Sequence, residues 1–252
     1  MYEKVCYDNS FLKMVVLRID FPSAVPSLTN DLPVKLANAA LNRFPIQEPL
    51  KTLSHELMLS PEKIEHRQSE AIEWQFHGRD REKTLTIAPT VMLIKRNRYS
   101  TYEELKDEFD SVAGALFAQE PELEASRMGL RYVNRIEIED GEPLRWSKYI
   151  NDNLLGLFDH FTDPRVLTRV MHVVEMKNEQ VNVKFQFGMP NPDFPSAIRR
   201  RHFVLDLDGY VQGPQGLDEL NANIEEAHAR IQNLFEESIT KDLREAMRHG
   251  EG

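Results

Sequence analysis

The chain has little of what small secreted and membrane proteins depend on. It contains one cysteine, Cys6, so no intramolecular disulfide can form and no set of cysteine zinc ligands exists. Its longest apolar runs, such as 14–17 and 91–94, are far shorter than the roughly 18 apolar residues of a membrane span. The N-terminus lacks the basic and apolar regions of a secretory signal. These absences predict a cytoplasmic protein that crosses no membrane.

Positive charge is also in the minority. The 31 lysines and arginines stand against 41 acidic residues, for a formal net charge of −10. This balance disfavours a broad, nonspecific grip on nucleic acid, which needs clustered cations, although it leaves room for a local basic patch. No P-loop, Rossmann glycine pattern, nucleophile elbow or zinc-protease motif is present, so no cofactor is predicted. The absence of these motifs does not exclude an enzyme.

The first half of the chain mixes strands and helices. Val15, Leu17, Ile19 and Phe21 alternate, as on one face of a strand, whereas an apolar stripe of helical spacing follows Thr101. Proline and glycine separate the segments, with a turn at 60–62. The pattern predicts strands over 13–21, 53–59, 70–77, 83–87 and 91–95, and helices over 31–44 and 101–117.

A similar order follows in the second half. Its first strand is the most strongly alternating in the chain, and a turn at Asp140-Gly141 ends it. The pattern predicts strands over 127–138, 166–175, 181–187 and 199–207, and helices over 147–161 and 217–247, before a frayed end from His249.

The two series match at an offset of about 115 residues, which indicates an internal duplication. We predict an α+β protein of two tandem β-α-β-β-β-(β)-α units, residues 1–120 and 121–252, joined at the polar, proline-containing segment 119–122. The units are expected to form one continuous structural domain, an antiparallel sheet with helices packed on one face, because unpaired strand edges are a liability. This order resembles TATA-binding-protein-like and helix-grip architectures.

The run Arg127-Met128-Gly129-Leu130-Arg131-Tyr132-Val133-Asn134-Arg135-Ile136 resembles the R-x-G-L-R-Y-x-N-R-I strand motif of a family of uncharacterised bacterial proteins of about 250 residues. The family has a sporadic distribution. It has no established activity, so the resemblance implies a bacterial origin and the extent of the fold but no catalytic residue. Further features are consistent with it: 74–76, the helix from Tyr99, 205–208, His228, Phe235-Glu236 and 238–240.

The same strand carries a row of arginines. Its period of two places Arg127, Arg131 and Arg135 on one face and the apolar residues, together with Asn134, on the other. The guanidinium groups could bind phosphates or carboxylates, or each could pair with an acid of a neighbouring strand. Asn134 either satisfies buried backbone groups or points at a ligand.

A second basic cluster, Arg199 to His202, enters a strand after a proline-rich loop. Arg199 and Arg201 are candidate ligands for an anionic partner. Strand alternation would split the cluster over both faces, so a solvated strand entrance is the competing interpretation.

Two carboxylates and an imidazole share a face of the same strand. His202, Asp206 and Asp208 lie opposite Phe203 and Leu205 in the alternation. Such a set could bind a divalent metal or act as acid and base, although exposed strands often alternate in this way. These three are the weak catalytic candidates.

The sequence thus favours a bacterial binding protein without enzymatic activity, associated with defence or mobile elements. Its arginine-lined surface would bind a protein partner or an anionic small molecule, and homo-oligomerisation stays open. The alternatives are a metal-dependent phosphodiesterase or nuclease and, against the net charge, DNA binding by a curved sheet.

Overall fold

The computed structural model describes residues 7, 9–59, 64–139, 141–161 and 163–248. The predicted α+β class is confirmed: this part of the chain holds a nine-stranded antiparallel sheet and four α-helices. The strands are β1 (Leu12–Asp20), β2 (Ile46–Leu59), β3 (Ile64–His77), β4 (Lys83–Ala88), β5 (Val91–Arg96), β6 (Ala125–Glu137), β7 (Val170–Met176), β8 (Asn182–Met189) and β9 (His202–Gln215). The helices are α1 (Val34–Arg43), α2 (Tyr102–Phe117), α3 (Leu217–Ser238) and α4 (Lys241–Arg248).

Hydrogen bonding places the strands in the order β2-β3-β4-β5-β1-β6-β9-β8-β7. The chain forms two compact units, one of Met1–Val15, Leu130–Val211 and Asn223–Gly252, and one of Val16–Gly129 and Gln212–Ala222. We call them the 130–211 unit and the 16–129 unit after their longest segments. Because β1, β6 and α3 each contribute residues to both, no single cut of the chain separates the units.

The 16–129 unit follows the predicted elements closely. Leu17 and Ile19 of β1 are buried, as their alternation predicts. α2 begins where the sequence indicates, since the Thr101 hydroxyl accepts a hydrogen bond from the Glu104 amide at 3.2 Å, which caps the helix. β3, β4 and β5 form an antiparallel meander in which Leu85 lies opposite Ile94. These elements enclose an apolar core that includes Leu36, Phe44, Phe76, Phe109 and Leu116.

In the 130–211 unit, β7, β8 and β9 pair in antiparallel register, with Phe185 opposite Leu207. α3 lies close to β9. A Cβ atom added at Gly209 would stand 3.1 Å from the Cβ of Ala227, so glycine permits this approach of helix to strand. Strand residues and helix residues together form the core, which includes Leu205, Phe203, Ile224 and Ile231.

The predicted helix over 147–161 is wrong. Two short 3-10 turns, Asp152–Leu154 and Phe158–His160, occupy this segment. Its backbone bonds to the end of α3 instead, since the Asn151 amide donates to Ser238 O at 2.9 Å and the Thr240 amide donates to Tyr149 O at 3.0 Å. Tertiary hydrogen bonds therefore override an apolar spacing that resembles a helix.

The same contact corrects the single long helix predicted over 217–247. α3 ends at Ser238 and α4 begins at Lys241, because Ile239 bridges to Ile150 and the Thr240 hydroxyl donates to Lys148 O at 2.5 Å. The contact between residues 148–151 and 238–240 thus interrupts both segments, which the local apolar pattern alone predicts to be helical.

Two predicted strands begin later than expected. Residues 164–166 form a 3-10 turn, in which the Asp163 carboxylate accepts a hydrogen bond from the Arg165 amide at 3.2 Å, and β7 starts only at Val170. β9 starts at His202 and runs to Gln215, so Arg199 and Arg201 precede the strand and its alternation does not apply to them. The proline-rich loop extends the irregular segment up to this point.

Several predictions fall outside the described residues: Cys6, the turn at 60–62, Asp140 of the turn after β6, and the end from His249. Among the helices of the described chain, none has the length and apolar character needed to cross a membrane.

Candidate functional site

The arginine row of β6 has the predicted alternation. Met128, Leu130 and Ile136 are fully buried, whereas Arg131 is half-buried and Arg135 is exposed. The arginines therefore share the more open face of the strand, as the period of two predicts.

Arg131 makes a paired hydrogen bond with a carboxylate of the neighbouring strand. Its Nε donates to Asp206 Oδ1 at 2.7 Å and its Nη2 donates to Oδ2 at 2.5 Å. This fork geometry is the strongest arrangement for an arginine and a carboxylate. The hydrogen bonds to Asp206 raise the pKa of the Arg131 guanidinium, and the nearby charge of Asp208 acts in the same direction. Most of the charge of Arg131 is thereby compensated within the protein.

Arg127 is also compensated. Its Nη1 lies 3.7 Å from Asp20 Oδ2, and Asp20 in turn accepts a hydrogen bond from Arg18 Nε at 2.8 Å. The guanidinium lies over Gly129, where an added Cβ atom would stand 2.8 Å from Nη1. The glycine of the strand motif therefore makes room for the arginine beside it.

Arg135 differs from the other two arginines. It is exposed, and its side chain makes no ion pair or hydrogen bond with any residue of the described chain. Its neighbour Asn134 is buried and donates from Nδ2 to Leu205 O at 3.3 Å. Asn134 thus provides a hydrogen bond to a backbone carbonyl, which is one of the two roles predicted for it; the other was to point at a ligand.

Charges alternate across the strands beside Arg131. In register, Glu175 of β7 lies opposite Lys184 of β8, and Lys184 lies opposite Asp208 of β9. The Lys184 Nζ stands 4.0 Å from Glu175 Oε1. We define the arginine face as the open side of β6, β9 and β8 that these residues share: Arg131, Arg135, Lys184, Asp206 and Asp208. It carries cations and anions side by side and is not a uniformly positive surface.

The second basic cluster does not join this face as one patch. Arg199 is exposed and has no side-chain partner among the described residues, whereas Arg200 Nε lies 2.9 Å from Asp193 Oδ2. The guanidinium of Arg201 lies 5.3 Å from the ring centroid of Trp146 and 5.1 Å from that of Tyr149, and its Nη2 donates to a backbone carbonyl. Arg201 therefore packs against aromatic rings in a structural role.

The set His202, Asp206 and Asp208 does not form a metal site. Its two carboxylates share a face of β9, as predicted, but Asp206 is buried, at 8% exposure, and is bound by Arg131 through both oxygens. A search of the described residues finds no group of three or more histidine, cysteine or carboxylate side chains placed to hold a metal ion. The carboxylates therefore share a face of β9 without being part of such a group among the described residues.

A scan against protein-family models and a search of the curated proteins each found no match for this chain.

The residues that carry the motif resemblance nevertheless contact one another. Arg131 binds Asp206, and Asn134 binds the carbonyl of Leu205. Tyr132 Oη lies 3.2 Å from Nδ1 of His228 on α3, so the opposite face of β6 is bonded to the helix. The strand motif therefore has a structural role, because its side chains hydrogen-bond β6 to its neighbour β9 and to the helix α3.

Sequence analysis missed a buried ion cluster in the 16–129 unit. Arg96 and Glu108 are 3% and 2% exposed, and Arg96 Nη2 lies 2.6 Å from Glu108 Oε1. Lys83 Nζ donates to the same oxygen at 2.6 Å, and Glu104 Oε1 lies 2.8 Å from Arg96 Nη2. The hydrogen bonds from Arg96 and Ser100 lower the pKa of Glu104 to about 2 despite partial burial. Partners on β4, β5 and α2 give no local signal in the sequence.

A second missed cluster joins the start and the end of the chain within the 130–211 unit. The Tyr7 hydroxyl donates to Glu236 Oε1 at 2.7 Å, and Arg244 Nε donates to Glu236 Oε2 at 2.7 Å. Burial and the hydrogen bond to Glu236 raise the pKa of Tyr7. Glu236 is 3% exposed, so its carboxylate is bound within the protein and has no access to an external ligand.

Proposed function

We propose that the protein is a bacterial binding protein without enzymatic activity, and that the arginine face binds a protein partner. The observation that carries this proposal is the alternation of charge beside Arg131, together with the exposed side chain of Arg135, which has no ion-pair or hydrogen-bond partner among the described residues. Alternating charges fit the mixed charges of a protein surface better than a uniformly anionic ligand, because complementary pairs fix register and exclude wrong partners.

Arg135 is the best position for a test, because its side chain makes no ion pair or hydrogen bond with the described residues that a substitution could remove. A photo-reactive amino acid introduced at Lys184 should cross-link a partner in an extract of the host bacterium. The change Arg135→Glu should reduce this cross-link at least about tenfold, as expected for an interface charge that meets an unlike charge. Arg199→Glu is the matched control, because Arg199 is also exposed and without a partner in the described chain. An equal yield from both variants would reject the proposal.

An anionic small molecule is the second candidate, supported by the exposure of Arg135. Thermal unfolding in the presence of inorganic phosphate distinguishes the two candidates, since any ligand that binds only the folded state raises the midpoint. We expect no increase. A phosphate-dependent increase that Arg135→Glu abolishes, and that Arg199→Glu leaves intact, would favour the small molecule instead.

The remaining alternatives have less support. A metal-dependent phosphodiesterase would need Asp206 to leave Arg131, and stabilisation by Mg²⁺ or Mn²⁺ that is lost in Asp208→Asn would revive it. DNA binding by the sheet would show as affinity for a duplex that falls steeply with salt. The net charge of −10 weighs against it.

We further infer that the sheet arose by duplication. The sheet order supports this reading, because in each half the first strand is followed outward by the last strand of the same half: β1-β5-β4-β3-β2 and β6-β9-β8-β7. A duplicated sheet agrees with the resemblance of the element order to TATA-binding-protein-like architectures, in which the helices would pack on one face. Solved structures of relatives would test the duplication, because the first half of the sheet should superpose on the second half.

The motif resemblance supports a cytoplasmic role connected with bacterial defence or mobile elements. A family that is sporadically distributed is typical of genes that move between genomes. The genes adjacent to this one should therefore encode defence or mobile-element functions in several bacteria. Invariable association with housekeeping genes would contradict this part of the proposal.

A further inference from the structure

β7 is an edge strand with an apolar surface. It is the last strand in the sheet order and pairs with β8, and the described residues provide no strand for its other edge. Met171, Val173 and Val174 are 38%, 57% and 43% exposed. Natural proteins protect such edges with lysine, proline or bulges, because an open apolar edge is a template for pairing with another chain. β7 contains no lysine and no proline.

Exposed apolar residues are frequent in the part of the sequence that contains this strand. Among the side chains that the structure describes, nine large hydrophobic ones are exposed, and seven of these lie between positions 157 and 194. Scattered single residues of this kind are normal on a protein surface, but a concentration marks an interaction site. They are Leu157, Phe161, Val166, Met171, Val173, Val174 and Phe194.

We propose that β7 pairs with β7 of a second copy of this chain, antiparallel and with His172 at the two-fold axis. In this register Val170 lies opposite Val174 of the second copy, and Met171 lies opposite its Val173. The pairing places the exposed apolar side chains of the two strands side by side and provides hydrogen-bond partners for the open backbone edge. Isologous pairing of this kind closes on itself, so it gives a dimer without further growth through the same edge.

Charge complementarity selects both the occupant and the register. Arg169 precedes β7 and is exposed, and Glu175 near its other end is 63% exposed in its side chain. With His172 at the axis, each Arg169 lies opposite Glu175 of the second copy, which gives two symmetric ion pairs. A register shifted by one residue, centred on Val173, would instead oppose Arg169 to Lys177, and like charges directly opposite are destabilising.

The contacts that Arg169 already makes leave it able to form this pair. Its Nε donates to Pro190 O at 3.1 Å, and its guanidinium lies 4.1 Å from the ring centroid of Phe194. The contact with Phe194 fixes the direction of the side chain, and the two Nη groups remain as donors for a carboxylate. Arg169 is therefore ordered before the second copy binds, which reduces the entropy lost on association.

The first test is the oligomeric state of the whole chain. Sedimentation velocity up to about 0.1 mM should detect a dimer, since modest interfaces have dissociation constants in the micromolar range. Val173→Lys should raise the dissociation constant at least about tenfold, because it places lysines on the paired edge. Val34→Lys is the matched control, as Val34 is a 75% exposed valine on α1, and it should leave the dimer unchanged. A chain that is monomeric throughout, or a dimer equally stable in both variants, would overturn the proposal.

The second test distinguishes a second copy from any other partner. Arg169→Glu and Glu175→Arg should each weaken the dimer, because each opposes like charges across the axis. The double variant exchanges the two charges and should restore most of the affinity if the register is correct. Failure of this rescue, with each variant still folded by circular dichroism, would reject the register and with it the proposed pairing. Arg135→Glu should leave the dimer unchanged, which separates this proposal from the one for the arginine face. Glu175→Arg also removes the ion pair with Lys184, so rescue by the double variant is the decisive comparison.

Discussion

The Glu108 carboxylate accepts hydrogen bonds from two cationic side chains in the core of the 16–129 unit. Glu108→Ala would leave Arg96, at 3% exposure, and Lys83 without their shared carboxylate. Removal of one partner of a buried ion pair costs about 3–5 kcal/mol, because the remaining charge is uncompensated. We expect the free energy of unfolding to fall by this amount in urea titrations monitored by circular dichroism.

Asp107, on the same helix, provides the control for this prediction. Its carboxylate lies 2.8 Å from Arg43 Nη2, but both side chains are exposed. Asp107→Ala should therefore cost less than about 1 kcal/mol, as is usual for a surface pair. Comparable losses in the free energy of unfolding of the two variants would show that the buried cluster contributes no more than a surface ion pair.

Glu104 gives the protein a predictable response to acid. Hydrogen bonds from Arg96 and Ser100 hold its pKa at about 2, below the ordinary glutamate pKa of 4.5. Because the folded-state pKa is the lower one, this contribution to stability is present above about pH 4.5 and is lost as pH falls toward 2. Glu104→Gln should therefore flatten the decrease of the thermal midpoint between these pH values. An unchanged slope would contradict the assignment.

Individual contacts were predictable only where both residues lie in recognisable strands. The alternation of β6 predicts that Arg131 faces an acid of a neighbouring strand or an external anion, and Asp206 fulfils the first alternative. The partnership of Lys83, Arg96 and Glu108 was not predictable, because it joins two strands and a helix that follow one another in sequence without any local pattern. The exposure of Arg135 follows from the alternation, but the absence of a side-chain partner among the described residues does not.

At the scale of elements, local pattern predicted those segments whose hydrogen bonds are local. The capping residue and apolar stripe of α2 fix its start at Tyr102, and the alternation of β1 and β6 fixes their faces. The segment 147–161 has an equally helical apolar spacing, yet its backbone bonds to 238–240. A pattern of side chains cannot report a backbone partner almost 90 positions away, and so both this segment and the end of α3 were predicted wrongly.

Gly188 fixes the close approach of β8 to the edge strand β7. Its φ is +139°, and an added Cβ atom would stand 2.1 Å from the backbone oxygen of Val170. Gly188→Ala therefore combines backbone strain with a clash that no side-chain movement relieves, and should cost at least about 2–4 kcal/mol. Hydrogen exchange should show the amides of β7 less protected in this variant.

Gly114, within α2, is the matched glycine. A Cβ atom there would meet nothing within 4 Å, and the residue has an ordinary helical conformation. Gly114→Ala should stabilise the chain by about 0.5–1 kcal/mol, because alanine loses less backbone entropy in a helix. If the two alanine variants changed stability in the same direction, the role of Gly188 would be refuted.

For the whole molecule, the sequence predicted one antiparallel sheet, and the nine strands do form one. The position of β1 beside β6 was not predictable, because strands that are far apart in sequence pair through contacts that no local pattern encodes. Three contacts connect the start of the chain to residues beyond 130 in the 130–211 unit. Besides the Tyr7–Glu236 bond, the Asn9 amide donates to Met247 O at 3.0 Å and the Arg135 amide donates to Phe11 O at 2.9 Å.

These contacts predict that residues 121–252 do not fold alone. A fragment cut at the predicted junction, 119–122, lacks Tyr7, Asn9 and Phe11, so Glu236 Oε1 loses its hydrogen bond from Tyr7 while Arg244 remains, and the Arg135 amide and Met247 O lose their partners. Buried groups left unsatisfied cost about 1–3 kcal/mol each, a large part of the stability of a domain of this size. We expect the fragment to unfold without a cooperative transition in urea.

The whole chain carrying an engineered protease site between Glu120 and Pro121 is the control for this prediction. After cleavage both pieces are present, so all three contacts remain, and the nicked protein should still unfold cooperatively. Loss of cooperativity in the nicked protein would instead locate the defect in the broken connection. A fragment that unfolds with the same midpoint as the nicked protein would contradict the prediction, because the first strand would then contribute nothing to the 130–211 unit.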